Sequence, residues 1–457
     1  MSLGPVSALV AAARPSAWRG FFRLAEQGTT ARRELVAGLT TFATMGYIIV
    51  LNPAILAPTG IAQADLLWAT VIATVVGTLL MGLWANLPIG LAPGMGSNVV
   101  FAQVLVSKMG VSWQIGLAMI FCNGLLFFLL SMSRWRQRII EGFPEPIKQG
   151  IGLSIGGFIA WLGLSNCGLI HNLPDSTMTL GPLGQPAQLL ALAGLLLTPV
   201  LMALRVPCAL LLGIVGVSAA GLLVPGSDGM PLTAAPQAVF ALPPFNPQML
   251  LAFDLKGFFT HFSLLLPVTL YFLISEFFSG TATLFAVTRR AHLQAPGQDI
   301  PNARAAFSSD ALSSVIGAAV GTTTVTAYVE SIAGVEAGGR TGLTAVVVAG
   351  LFAVSILFWP LIHCVPAQAS AVALVMVGVL MLKSIGDLEF TQAEMAIPPV
   401  LMLLVTLLTT DLMVGMAMGC FSYTVIVLAR RQWVRLTAIL IGLDGVFAFY
   451  LWVKDAL

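Results

Sequence analysis

Charged residues are scarce in this chain. Asp, Glu, Lys and Arg make up 9% of its 457 residues, whereas hydrophobic residues make up 58%. A soluble domain carries about a quarter charged residues, so the composition excludes an ordinary soluble fold. Long apolar runs recur at 189–204, 344–362 and 399–408, and the alternating segments of about ten residues that build a transmembrane barrel are missing. The sequence therefore predicts an all-α polytopic membrane protein.

Cysteine and histidine are also rare. The five cysteines and four histidines are scattered, without the close spacing of a redox pair or a zinc site. No HExxH, GxGD or Ser/Lys pattern of a hydrolase occurs either. We therefore expect no metal, no organic cofactor and no enzymatic reaction, and the net charge of +2 gives no reason to expect a nucleic acid partner.

The basic residues are distributed unevenly, which predicts the orientation of the chain. Five arginines precede the first apolar stretch. Further clusters lie at 134–148, 289–304 and 430–435. If the N-terminus is cytoplasmic, the basic residues lie on the cytoplasmic side except for Lys108 and Lys256, which lie on the outer side, and Lys454, whose side is undecided. This distribution agrees with the positive-inside rule. We therefore predict a cytoplasmic N-terminal lead-in at 1–33, followed by a multi-pass membrane protein.

Apolar windows give fourteen candidate spans, and two of them are interrupted. ANLPIGLAPGMGSNVVFA (85–102) and GTTTVTAYVESIAGVEAGG (321–339) carry breakers and polar residues where a regular helix is expected. Each is the third element in a set of seven spans, and because seven is odd, the second set enters the bilayer from the opposite side. The sequence thus predicts fourteen transmembrane segments in a 7+7 inverted repeat. Whether the apolar stretch 435–453 also spans the membrane stays open.

The two interruptions have a predicted structure of their own. Irregular backbone at membrane depth is tolerated only where protein or a watery cavity satisfies its N–H and C=O groups. Residues 88–92 and 322–325 are therefore predicted to form short antiparallel strands in broken segments 3 and 10, which pair across the centre. Such matched interruptions are typical of a transporter's substrate site. Two kinked helices that pack closely through glycine are the alternative.

Two carboxylates inside apolar windows stand out. A charge at bilayer depth costs about 2.5–3.5 kcal/mol even on a lenient insertion scale, so each one needs a reason. Glu276 lies among aromatic residues, and Glu330 lies just past the second interruption, where a half-helix is expected to start. For both residues a functional role is favoured over a structural one.

Other polar groups have structural interpretations. Asp310 either caps or pairs near a helix end, with Arg304 or Arg340, or takes part in function, and both interpretations stay open. Glu336 is predicted to form a solvated pair with Arg340, four residues further on. Asp411 and Asp444 are expected at helix ends. His261 is expected to be interfacial or hydrogen-bonded.

The acids and their aromatic neighbours suggest a class of solute. Two carboxylates beside a small aromatic-lined cavity suit a neutral, planar molecule with N–H donors. One acid can accept hydrogen bonds from the donor edge while the other carries a coupled proton, because a buried carboxyl group can take up and release protons. The candidates to face a flat ring are Phe101, Phe277, Phe278 and Tyr328.

Four stretches of the chain resemble a known family. They are ARRELVAGLTTFATMGYIIVLNP (31–53), LAPGMGSNVVFA (91–102), IKQGIGLSIGGFIAWLGL (147–164) and VTAYVESIAGVEAGGRTGLTAVV (325–347). They are similar to the AzgA-type purine permeases, the hypoxanthine/guanine/adenine branch of the nucleobase–ascorbate transporter (nucleobase:cation symporter-2) superfamily. The resemblance extends from about residue 20 to the end of the sequence.

This resemblance implies a domain organisation. Spans 1–4 (34–132) and 8–11 (259–362) would form a core domain. Spans 5–7 (147–224) and 12–14 with the C-terminal segment (367–457) would form a gate domain, through which the protein would form a homodimer. It also implies symport of a purine and a proton across a bacterial inner (plasma) membrane.

The resemblance also assigns residues by position. Glu276 matches the span-8 acid that binds the base, and Glu330 matches the span-10 acid implicated in binding and coupling. The remaining matches, in the substrate-facing parts of spans 3 and 1, are Gly96, Ser97, Asn98 and Thr44. One position departs from the pattern: the branch usually reads like FVDLFDTTGTL, whereas LISEFFSGTATL has Ser279 in place of the second acid.

The predicted function is secondary active import of hypoxanthine, guanine or adenine by proton symport, with Glu276 and Glu330 in both binding and coupling. Because Ser279 replaces an acid, the base and the proton stoichiometry stay open. One alternative is the same scaffold carrying xanthine, urate, uracil or a small organic anion. A channel or facilitator and an intramembrane enzyme with an acid pair are further alternatives.

Overall fold

The computed structural model describes residues 20–133, 143–172, 178–206, 208–226, 229–294 and 299–456. The predicted lead-in at 1–33 therefore lies partly outside the described residues, as does most of the basic cluster at 134–148. Within the described part of the chain the architecture is helical, with four short strands.

The described residues of the first half of the chain form eight helices and three strands. The helices are α1 (Ala31–Met45), α2 (Ile48–Leu56), α3 (Gln63–Leu80), α4 (Met95–Val99), α5 (Trp113–Met132), α6 (Glu145–Asn166), α7 (Pro186–Ala203) and α8 (Ala209–Gly221). The strands are β1 (Leu91–Pro93), β2 (Ile170–Asn172) and β3 (Met178–Leu180). Helix α3 continues as a wider π-type turn through Met81–Ala85, and α4 continues likewise through Val100–Lys108.

In the second half, ten helices and one strand lie within the described residues. The helices are α9 (Leu255–Thr260), α10 (Phe262–Arg290), α11 (Ala303–Val320), α12 (Ser331–Glu336), α13 (Gly342–Ser355), α14 (Trp359–His363), α15 (Ala367–Met381), α16 (Ala393–Thr409), α17 (Leu412–Ala429) and α18 (Ala438–Ala456). The strand is β4 (Val325–Ala327).

Many of these helices match the dimensions of a bilayer. In the described residues, seven helical segments are long and apolar enough to cross a membrane, the longest being Ala31–Thr59 and Phe262–Arg290. Five further apolar helices have 10–17 residues. A span needs about 20 mostly apolar residues, so the length and composition of these segments confirm a multi-pass helical membrane protein.

The two interrupted segments meet at the centre of the molecule. Strands β1 and β4 pair antiparallel, with Leu91 opposite Ala327 and Pro93 opposite Val325. All residues of both strands are buried, so the pairing satisfies backbone groups that no water can reach. The predicted central strand pair is thus present, and the alternative of two kinked helices is wrong.

The predicted strands, 88–92 and 322–325, begin three residues too early and end one and two residues too early. The reason lies at the end of α11, where Gly321 takes a left-handed conformation with φ of 99°. The N–H of Thr322 then donates to the Gly317 carbonyl at 2.8 Å. Residue 322 therefore closes a helix and is not available to pair with a strand.

A buried hydrogen-bond network braces the back of the strand pair. The Asn52 amide donates to Thr70 at 2.6 Å and to Thr322 at 3.2 Å. The Asn98 amide donates to the Asn52 side-chain oxygen, and the Thr323 hydroxyl donates to the side-chain oxygen of Asn98. These side chains are fully buried, so the network joins the first half of the chain to the second through groups that require partners.

The segment at 435–453, which the sequence left open, forms part of the long helix α18. This helix packs against α17 and also touches α10. Asp444 lies in the middle of α18 and accepts a hydrogen bond from Thr424 at 2.6 Å. The prediction that Asp444 occupies a helix end is therefore wrong, because the helix continues well past it.

Candidate functional site

A cavity of about 550 Å³ lies beside the strand pair. Both acids singled out in the sequence line it: Glu276 from the middle of α10 and Glu330 from the turn between β4 and α12. Further lining residues come from α4, α6 and α15, and from Tyr47 in the turn just before α2. Among these residues are Tyr47, Gly96, Ser97, Lys148, Phe278, Ser279, Thr326, Tyr328 and Met381.

Glu330 is positioned by groups from the first span. The hydroxyl of Tyr47 donates to Glu330 Oε1 at 2.5 Å. The Thr44 hydroxyl lies 3.3 Å from the Glu330 carbonyl oxygen, to which it donates. Thr44 therefore contacts the backbone of the acid and does not line the cavity. Tyr47 was not predicted from the sequence. The only indication there of a role at the site was its hydroxyl, just after the polar stretch at the end of α1.

Glu276 is positioned by the strand region of the second half. Its Oε1 accepts a hydrogen bond from the Ser314 hydroxyl, and Ser314 Oγ also accepts the Val325 N–H at 2.9 Å. Its other oxygen, Oε2, is buried without a hydrogen-bond partner among the described residues. A buried carboxylate oxygen without a partner is costly, so this atom is available to a donor that enters the cavity.

A third acid lies between α10 and β4. Asp310 is fully buried in the middle of α11, and its Oδ1 accepts the Ala327 N–H at 2.9 Å. Its Oδ2 has no partner among the described residues, and a Cβ built on Gly280 would collide with that atom. The proposed pairing with Arg304 or Arg340 at a helix end is therefore wrong. Asp310 belongs to the surroundings of the site.

The other predicted residues divide between the cavity wall and the interior. Those that line the cavity are Gly96, Ser97, Ser279 and Tyr328. Asn98 belongs to the buried network behind the strands. Phe277 packs against Phe127, with ring centroids 5.5 Å apart, away from the cavity. Phe101 packs closely over Gly116. The expectation that Phe101 and Phe277 face a flat ring is therefore wrong, and Phe278 is the phenylalanine on the cavity wall.

Gly96 shows why this wall needs a small residue. A Cβ at this position would lie 2.5 Å from Ile155 Cγ2, so only glycine lets α4 approach α6 here. The structure thus gives Gly96 a packing role in addition to its place on the wall.

Phe277 and Phe278 provide a matched pair for a test. We expect Phe278→Ala to weaken solute binding by about 2- to 12-fold, equivalent to an aromatic contact of roughly 0.5–1.5 kcal/mol. We expect Phe277→Ala to leave affinity unchanged but to destabilise the fold by about 3 kcal/mol, because it empties a buried aromatic site. Binding titrations and thermal unfolding of both purified variants measure the two effects. The reverse pattern would place Phe277 at the solute.

The remaining acids have local partners. Glu336 bonds Arg290, with Arg290 Nη2 to Oε1 at 2.6 Å, so its predicted pairing with Arg340 is wrong. The cause is Gly338, whose φ of 109° turns the chain after α12. Asp411 caps α17, accepting the Met413 N–H at 3.0 Å, as predicted.

His261 ends α9, and its Nδ1 lies 2.9 Å from the Gly257 carbonyl oxygen. The prediction of a hydrogen-bonded histidine at this position is therefore confirmed. Among the described residues, no three His, Cys, Asp or Glu side chains come together in a group that could hold a metal ion.

These features define a class. Two spans interrupted at corresponding positions, paired through short strands beside a cavity with carboxylates, are the arrangement of an integral membrane carrier. The chain belongs to the permease family Xan_ur_permease, whose model matches residues 32–410. It is therefore a transporter and not an enzyme.

Relatives and a solved structure agree with this assignment. The chain is 38% identical to the guanine/hypoxanthine permease PbuO of Bacillus subtilis, over 94% of this chain and 100% of that one. It is 37% identical to the adenine permease AdeQ of Escherichia coli, over 95% and 96%. The transmembrane domain of the cyanobacterial bicarbonate transporter BicA superposes with a TM-score of 0.55 at 17% identity, covering 83% of this chain and 96% of that domain. At that identity the last likeness shows the fold alone.

Proposed function

We propose that this permease imports a purine nucleobase, namely hypoxanthine, guanine or adenine, by proton symport. The observation that carries the proposal is that Glu276 and Glu330 line one cavity of about 550 Å³, a size typical of small-molecule sites. The names of the relatives PbuO and AdeQ point to the same solutes.

The wall of the cavity suits a flat base with N–H donors. Glu276 Oε2 has no partner among the described residues and can accept hydrogen bonds from the donor edge of a purine. Phe278 contributes an aromatic ring to the wall, with Lys148 Nζ 5.1 Å from the ring centroid, and Ser279 lies where the branch has a second acid. A serine can both donate and accept, so this position can serve the carbonyl of hypoxanthine and guanine as well as the amine of adenine.

Coupling follows from the positions of the acids. Moving an uncompensated carboxylate through a low-dielectric passage is costly, so the loaded core moves more readily when a proton neutralises one of the acids at the cavity. Glu330 is the proposed proton carrier because Tyr47 holds its Oε1 at the cavity wall. A base bound to Glu276 and a proton on Glu330 would then cross together.

The contacts between helices support a 7+7 inverted repeat. Numbering the spans along the chain, α1 of span 1 packs on α13 of span 11, and α10 of span 8 packs on α5 of span 4. In the same way α7 packs on α15, and α16 packs on α6. If the first set of seven spans is exchanged with the second, the α1–α13 contact becomes the α10–α5 contact. The α7–α15 contact likewise becomes the α16–α6 contact. Helix α18 then lies outside the repeat as an additional segment.

The cavity adjoins both proposed domains and points to one side of the membrane. The core contributes α10 and the strand region, and the gate contributes α6 and α15. The lining continues from Glu276 along α10 towards Arg289 and Arg290, which is the cytoplasmic end by the positive-inside rule. We therefore infer an inward-facing state with a cytoplasmic N-terminus in a bacterial inner membrane. The gate domain (147–224 and 367–457) is the proposed homodimer surface.

Other solutes on the same scaffold are distinguished by competition. Xanthine, urate and uracil share a planar shape with N–H donors, whereas a small organic anion would face the carboxylates of Glu276 and Glu330 and is disfavoured.

Uptake of labelled hypoxanthine, guanine and adenine into proteoliposomes with an imposed pH gradient tests the proposal directly. Saturable accumulation that requires the gradient supports symport. Uptake that only equilibrates would show a facilitator, and failure of all three bases to enter or compete would reject the substrate class.

Glu276→Gln provides a second test. We expect it to weaken binding of the transported base by about 10- to 100-fold, because an amide N–H₂ would meet the donor edge of the base and a charge-assisted hydrogen bond of roughly 1.5–3 kcal/mol would be lost. Equilibrium binding to purified protein measures the change. Glu389→Gln, at an exposed acid, is the matched control. Wild-type affinity in Glu276→Gln would remove this residue from the site.

A further inference from the structure

A second cavity, of about 340 Å³, lies away from the strand pair. It is formed by the segment before α1, the end of the span that contains α3, the described ends of the connection between α10 and α11, and the turn just before α13. Its lining residues are Phe21, Arg23, Gln27, Leu83, Trp84, Ala85, Asn86, Leu87, Leu293, Pro301, Asn302 and Arg340. None of the predicted substrate residues takes part.

The charge of this cavity has one sign. Among the described residues, the charged members of the lining are Arg23 and Arg340, both of which are basic. Arg340 is held in place because its Nη1 donates to the Val335 and Gly339 carbonyls, both at 2.7 Å. The donors on its Nε and Nη2 stay available to a ligand. Two guanidinium groups facing one cavity suit a phosphate, since planar donor pairs match its oxygens.

The cavity is built by hydrogen bonds that join distant segments. Asn86 accepts the Gly342 N–H at 2.8 Å and donates to the Phe22 carbonyl at 3.4 Å. Asn302 donates to the Ala85 carbonyl at 3.1 Å. These contacts join the segments that form the walls of the cavity.

Apolar side chains place the cavity at the edge of the bilayer. Leu83 and Trp84 are each 48% exposed and lie at the end of the membrane span Gln63–Ala85. Phe21 on the neighbouring segment is 56% exposed. Tryptophan and other amphipathic rings concentrate at the level of the lipid headgroups. An anion in this cavity would therefore have hydrocarbon immediately beside it.

We propose that this cavity binds the headgroup of an anionic phospholipid, with its phosphate between Arg23 and Arg340 and its acyl chains along Leu83 and Trp84. Basic pockets at the cytoplasmic ends of membrane helices bind anionic headgroups in this way. The adjacent hydrocarbon-facing side chains favour a lipid over free phosphate. The proposal does not depend on the solute that is transported.

The test compares lipid adducts of the full chain purified in detergent. Native mass spectrometry with phosphatidylglycerol is expected to show a retained lipid, with phosphatidylcholine held at least about fivefold more weakly. Arg23→Gln is expected to reduce phosphatidylglycerol retention by roughly fivefold, as for the loss of one arginine near an anionic surface. Arg32→Gln, at an exposed arginine outside the cavity, is the matched control and should retain the lipid.

Thermal unfolding and competition with inorganic phosphate provide two further tests. Arg23 is exposed, so its variant should show a wild-type melting temperature in detergent without lipid; addition of phosphatidylglycerol should raise that temperature in the wild type more than in Arg23→Gln. Inorganic phosphate should not displace the lipid. Three results would each overturn the assignment. They are equal retention of phosphatidylglycerol and phosphatidylcholine, equal loss of lipid in Arg23→Gln and Arg32→Gln, and binding of inorganic phosphate in place of phosphatidylglycerol.

Discussion

Glu330→Gln is expected to abolish accumulation of the base against its gradient, reducing proton-driven uptake to the background of vesicles without protein. Glutamine keeps the shape of the side chain and can still accept the Tyr47 hydroxyl, which lies 2.5 Å from Oε1. It cannot take up or release a proton. The variant should therefore fold and bind solute while losing the coupled step. Uptake into proteoliposomes with and without an imposed pH gradient measures this loss.

The matched control for this variant is Glu336→Gln. Glu336 lies six residues further along the chain, is half exposed and bonds Arg290 at the surface. Its carboxylate does not line the cavity, so its variant should retain proton-dependent uptake. Exchange of labelled for unlabelled base across the membrane separates translocation from coupling in Glu330→Gln. Full proton-dependent accumulation by this variant would remove Glu330 from the coupling role.

Asn98→Leu is expected to produce a large loss of stability. Asn98 accepts the Thr323 hydroxyl and donates to Asn52, and all three side chains are fully buried. Leucine would leave a hydroxyl and an amide oxygen without partners, at about 1–3 kcal/mol each. The free energy of unfolding should fall by roughly 3 kcal/mol, with weaker solute binding as a consequence because the strands carry the cavity wall.

Ser107→Ala is a suitable control for that substitution. Ser107 lies on the continuation of the same helix, and its hydroxyl donates to the Ala102 carbonyl five residues before it. Its loss should change stability by less than about 1 kcal/mol. Thermal unfolding of both variants in the same detergent gives the comparison. A wild-type melting temperature for Asn98→Leu would mean that the network does not hold the two interruptions together.

The arrangement of the two principal acids could be predicted from the sequence because few carboxylates occur in apolar windows. Glu276 and Glu330 each had a clear local signal, and the interrupted segments indicated where the chain would converge. The pairing of β1 with β4 followed from the need to satisfy backbone groups in a membrane. The strand limits did not follow from the sequence. The closure of α11 at Gly321 uses Thr322, which the prediction assigned to the strand.

Side-chain direction was harder to predict. Phe277 and Phe278 are adjacent, and neighbouring residues on a helix point about 100° apart. In a membrane helix both faces are apolar, so periodicity does not indicate which phenylalanine meets the cavity. Tyr47 and Glu330 lie 283 residues apart in the chain, and Asp310 faces β4 through the packing of α11. These contacts depend on tertiary structure, for which a single sequence carries no local signal.

The bracing network also constrains how the protein is made. Thr323 follows Asn98 by 225 residues. At a synthesis rate of about 5–20 residues per second, the first interruption waits roughly 10 to 45 seconds for its partner to emerge from the ribosome. Until then Asn52 and Asn98 lack their final partner, and β1 has no strand to pair with. Nascent chains of this protein thus pass through a stage in which the central hydrogen bonds of the amino-terminal half are incomplete.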